Sequence, residues 1–70
     1  MAPMDWKARL GKNVLKYRTE KAWSQQVLAG EAELSLRYLA GVERGEENPS
    51  LETILSIANA LAIQPARLLE

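Results

Sequence analysis

Apolar residues along this chain recur every three or four positions, and no stretch keeps the strict alternation of a half-buried strand. No hairpin dipeptide joins two candidate strands either. The pattern predicts an all-α chain of five helices. The first runs from a cap at Asp5 to about Lys21, with Leu10, Val14 and Tyr17 on one face. Ser24 is placed to cap a second, "QQVLAGEA", which turns Leu28, Ala29 and Ala32 inward. Ser35 caps a third with Leu39 and Val42 on its apolar side, and Gly45 suits the left-handed position just past its end. After "NPS", Ser50 opens a fourth helix whose stripe reads Leu51, Ile54, Leu55, Ala58 and Leu61. The fifth, "IQPARLLE", carries Pro65 in a first turn, where its missing N–H does no harm.

The second and third helices are about two turns each and are separated only by "ELS". So short a connection cannot lay them antiparallel; it forces the steep crossing of a helix-turn-helix. Ala29 and Ala32 are small enough to permit the close approach that such a crossing needs. The outer side of the third helix is unusual. Opposite Leu39 and Val42 stand Arg37, Ala40, Gly41 and Arg44, a cationic face whose middle is nearly flat. Gly30 and Gly41 each cost a helix interior about 1 kcal/mol relative to alanine. Close approach of another molecule explains Gly41, and nothing in the sequence explains Gly30.

Composition narrows the chemistry. Seventy residues make one small domain without a disulfide, because there is no cysteine. Histidine is absent too, which removes the commonest general base and metal ligand. An enzyme is therefore the least favoured class, and no cofactor, metal or small-molecule ligand is expected. No apolar run is long enough for a signal peptide or membrane span, so a cytoplasmic protein with no membrane contact is expected. The first four residues, "MAPM", are expected to lie outside the fold, with Met4 as the natural start. Net charge is zero, against the basic balance usual for nucleic-acid binders. The total conceals a split, with +4 over residues 1–21 and −4 over residues 22–70.

Several spaced elements then agree at once: Ser24-Gln25, Leu28-Ala29, the Tyr38-Leu39 to Val42-Glu43 spacing, Arg44-Gly45, and Asn48-Pro49-Ser50-Leu51. Together they resemble the helix-turn-helix domain of the phage Cro and repressor proteins and their bacterial relatives, the XRE type. The resemblance covers roughly Leu10 to Leu69. It implies a lambda-repressor-like fold over the whole chain, 1–70, with the third helix in the major groove of double-stranded DNA. By position, Leu36, Arg37, Ala40, Gly41 and Gln25 would face bases, while Ser24, Tyr38, Arg44, Asn48 and Ser50 would face phosphates. The physics fits. A groove about 12 Å wide admits a helix, arginine can donate twice to guanine, and alanine can touch a thymine methyl.

The chain also departs from the family pattern. Leu36 offers only apolar contact where phage repressors often place a hydrogen-bonding side chain. Glu33 and Ala22 stand where the family prefers glycine, and a positive φ at either costs about 1 kcal/mol. Glu33, Glu46 and Glu47 bring carboxylates near the expected DNA face. Glu43 leans toward the Leu39/Val42 side and needs a cation, and the family places that partner at Arg18. Trp6 and Trp23 are expected to cap the core edge.

Taken together, these features predict a sequence-specific transcriptional regulator, such as a Cro-like repressor, a restriction–modification controller or an antitoxin-like autorepressor. One module reads too few base pairs alone, so a homodimer on a palindromic operator is expected, joined through Ile63, Leu68 and Leu69. A protein-interaction module that reuses the fold is the rival, suggested by the zero net charge and the acidic "GEENPS" loop.

Overall fold

The computed structural model describes residues 5–70, so the expectation for "MAPM" lies outside the described residues. Every regular element among them is helical: α1 Trp6–Glu20, α2 Gln25–Glu31, α3 Leu36–Glu43, α4 Leu51–Leu61 and a closing 3₁₀ helix, Pro65–Leu69. The expected fifth α-helix is therefore a single tight turn with Pro65 at its start. Five residues are too few to sustain an α-helical ladder, and 3₁₀ geometry suits short pieces.

Serine chemistry sets three of the four starts. Ser24, Ser35 and Ser50 each accept a hydrogen bond from the backbone N–H three residues on, at Val27, Tyr38 and Thr53. Each satisfies a donor that the first turn would otherwise leave open. Asp5 precedes α1 without such a side-chain bond; only its carbonyl engages, accepting from the Arg9 N–H. All four α-helices end alike. A left-handed residue follows one position after α4 and two positions after each of the others, and crossed bonds close the turn, as when Leu34 N–H donates to Ala29 O and Glu33 N–H to Gly30 O. Glycine fills that position only at Gly45; Ala22, Glu33 and Ala62 adopt φ near +60° in the other three.

The core is Leu10 and Val14 from α1, Leu28 and Ala29 from α2 with Ala32 just beyond, Leu39 and Val42 from α3, and Ile54, Ile57, Ala58 and Leu61 from α4. Two sequence expectations fail here. In α4 the buried stripe is completed by Ile57, while Leu51 and Leu55 are exposed at 68% and 44%. Leu55 lies on the flank of the stripe, and Leu51 sits in the first turn, at the end of the helix. The second failure is Leu68, fully buried although the chain end offered it for an interface. Asn13 explains its position. The Asn13 Nδ2 donates to the carbonyls of Leu68 and Glu70, tying the 3₁₀ helix to α1 and pressing Leu68 inward.

Candidate nucleic-acid interface

The orientation of α3 is set from its inner side. Leu39 and Val42 enter the core, and the helix lies across α1 and α2. Its C-terminal turn touches α1 backbone to backbone. A Cβ on Gly11 would stand 2.5 Å from the carbonyl oxygens of both Val42 and Glu43, closer than atoms can pack. Only glycine fits there. A Cβ on Gly45 would meet the Ala8 Cα at 3.0 Å, a tight contact, and the residue has φ +78°.

Polar contacts lock the same turn. Arg18 donates from Nε to Glu43 Oε2 at 2.6 Å and from a terminal nitrogen to Oε1 at 2.9 Å. Its remaining terminal nitrogen reaches the Trp23 carbonyl at 2.8 Å. Gln25 Nε2 adds a third donor to Glu43, 2.9 Å from Oε1. Both partners of the ion pair are nearly buried, with side-chain exposures of 11% and 5%. The hydrogen bond to Glu43 raises the Arg18 pKa, against the opposing effect of burial and with help from the carboxylate's charge. One carboxylate at the end of α3 thus joins three helices and the α1–α2 turn. No buried side-chain nitrogen or oxygen among the described residues lacks a partner.

The outer side of α3 is built differently. Leu36 and Arg37 are exposed, Ala40 is half-buried, and Arg37 has no ion-pair partner among the described residues. Gly41, expected to lie bare beside them, is buried instead. The Glu47 side chain folds over it from the following loop, so a Cβ on Gly41 would meet Glu47 Cγ and Oε2 at 2.8 Å. The flat middle of the face is occupied by the protein's own carboxylate. Sequence spacing could not reveal this, because the loop supplies the covering atoms.

The helix-turn-helix family matches residues 14–68, most of the chain. This chain belongs to the XRE-type helix-turn-helix family. Among curated relatives, the immunity repressor protein of Bacillus phage phi105 is 44% identical over 55 residues, which cover 79% of this chain and 38% of the repressor. The control protein C.BamHI of Bacillus amyloliquefaciens is 41% identical over 61 residues, 86% of this chain and 75% of that protein. Among solved structures, the restriction–modification controller protein C.AhdI from Aeromonas hydrophila superposes with a TM-score of 0.86 at 42% identity, covering 89% of this chain and 94% of that one. The chain therefore spans well under half of the phage repressor but nearly the full length of the solved controller.

Within this helix-turn-helix the other expected contact residues are placed as follows. Ser24 and Ser50 are exposed caps at the starts of α2 and α4. Asn48 is exposed in the α3–α4 loop, beside the buried Pro49. Tyr38 packs part of its ring against the core. Arg44 is exposed and holds Glu46 at 3.0 Å, a surface pair of the kind worth about 0–1 kcal/mol. Gln25 is turned onto Glu43 rather than outward. Trp23 packs on the core edge with Lys21 over its ring, whereas Trp6 is 42% exposed and does not cap the core. Ile63 is half-buried and Leu69 exposed at the C-terminal end. No helix among the described residues is long and apolar enough to cross a membrane, and no acidic cluster among them could hold a metal ion.

Proposed function

We propose that this chain is a sequence-specific, double-stranded-DNA-binding transcriptional regulator of the repressor or controller kind. The observation that carries this reading is the contrast across α3. Its inner side is fixed by the close approach to Gly11, the bonds of Glu43 and the core, while its outer side presents an Arg37 without an ion-pair partner among the described residues, next to small Ala40. In a major groove, Arg37 reads guanine O6 and N7, Ala40 and Leu36 meet thymine methyls, and Gln25 acts mainly by holding Glu43. Arg44, Tyr38 and Asn48, with the capped starts of α2 and α4 at Ser24 and Ser50, contact phosphates. Arg44 exchanges its exposed Glu46 partner for a phosphate at little cost.

The regulator works as a homodimer on a two-fold operator, with half-sites about 34 Å apart. The exposed Leu69 and half-buried Ile63 support a C-terminal interface, together with a shallow groove lined by Tyr17, Ile63, Gln64 and Arg67. Leu68 takes no part, since the monomer already buries it. Two copies double the phosphate contacts and offset a net charge of zero. A salt titration tests the reading against an interaction module. Log affinity for duplex should fall steeply and linearly with log salt, and a flat line would refute DNA binding.

A further inference from the structure

Glu47 has a seat on α3 that ordinary surface glutamates lack. Residues four apart on a helix stack on one face, so Gly41 lies directly beyond Arg37. Because Gly41 has no side chain, the Glu47 stem and carboxylate occupy the space its Cβ would take, 2.8 Å from that position. Glu47 is half-buried by this packing, and among the described residues its carboxylate has no ion-pair partner. The neighbouring arginine is diverted to Glu46. The base-facing part of α3 therefore carries Arg37 as a donor of its own and one acceptor borrowed from the loop.

The geometry points to Glu47 as a specificity-determining residue that accepts a hydrogen bond from a cytosine N4 amino group, next to the guanine read by Arg37. This rests on the DNA-binding reading above. An ionised carboxylate can only accept, so it matches cytosine's amino group and opposes the guanine O6 and thymine O4 acceptors. It also faces a polyanion, so it costs affinity on every duplex that does not supply the amino group. The seat over Gly41 is what makes it selective: packed against the helix, the carboxylate stays at the depth of the bases instead of swinging away.

The test is selection of bound sites from a random duplex pool by the wild type, followed by binding of Glu47→Ala and Glu47→Gln to the selected duplex, to single-base-pair variants of it and to random duplex. Glu47→Ala should bind random duplex more tightly than the wild type does, yet lose about tenfold in discrimination at one cytosine-containing base pair adjacent to the Arg37 position. Glu47→Gln, which can donate as well as accept, should tolerate guanine or thymine there. Gly41→Ala, which displaces the carboxylate, should reproduce the loss at the same base pair. A uniform gain in affinity with unchanged discrimination would reduce Glu47 to a repulsive charge and overturn the assignment. A wild type that selects no duplex would overturn the DNA-binding reading itself, a result distinct from a selected site that the Glu47 variants read identically.

Discussion

The inner and outer sides of α3 follow opposite rules. On the inner side every group has one place: two apolar residues in the core, a carboxylate held by three donors, and carbonyls against the glycine of another helix. On the outer side contacts are sparse and exchangeable, with Arg37 lacking an ion-pair partner among the described residues and Arg44 on an exposed partner. The difference teaches where stability and function reside. A reading helix must be rigid toward its own protein and uncommitted toward its ligand, because each outward contact made in the free state has to be broken on binding.

Substitutions that attack the inner side should break the fold. Gly11→Ala should have the largest effect, about 3 kcal/mol, because two backbone oxygens at 2.5 Å cannot yield without moving α3. Urea unfolding would show it, and stability within 0.5 kcal/mol of the wild type would mean the helices separate easily. Glu43→Gln and Arg18→Met come next, at about 2–3 kcal/mol each, near or below the lower limit for breaking a buried pair because slight exposure remains. A double-mutant cycle should report coupling between them, and strictly additive losses would deny it.

The outer side should respond the other way. Arg37→Ala should leave the unfolding midpoint unchanged while costing about 1–3 kcal/mol of binding to the selected duplex and little on random duplex. Equal losses on both would make Arg37 a phosphate contact. The smallest effect sharpens the comparison from the turn that joins α2 to α3. Glu33 holds φ +60° where glycine would be unstrained, so Glu33→Gly should stabilise by about 1 kcal/mol and raise Tm by about 4–8 °C. An unchanged or lower Tm would show that the Glu33 side chain compensates its backbone.

Local chemistry was readable in the sequence, and long-range placement was not. Serine caps, the Gly45 stop and the short "ELS" turn are decided within a few residues, so the helices and the helix-turn-helix could be placed directly. The family's Arg18–Glu43 pairing points to two side chains that do meet, 25 positions apart, but the third donor, Gln25, was expected to face bases. Ile57 was passed over because Leu51 and Leu55 compete with it at nearly helical spacing, and burial alone separates them. Leu68 required knowing that Asn13, 55 residues away, fastens the chain end. Gly11 carries no signal in the sequence, because the α3 backbone that packs against it lies more than thirty positions away. Gly41 gave the right signal, a removed side chain, with the wrong occupant: Glu47 fills the space in the free protein.

The central claim is that the outer face of α3 reads DNA sequence, twice per operator. Selection from a random duplex pool tests it most directly. The predicted result is an enriched inverted repeat, its half-sites one helical turn or about 34 Å apart and each containing a guanine lost from the selection made with Arg37→Ala. A pool that stays random, or one whose enriched sequence is the same for Arg37→Ala, would contradict it.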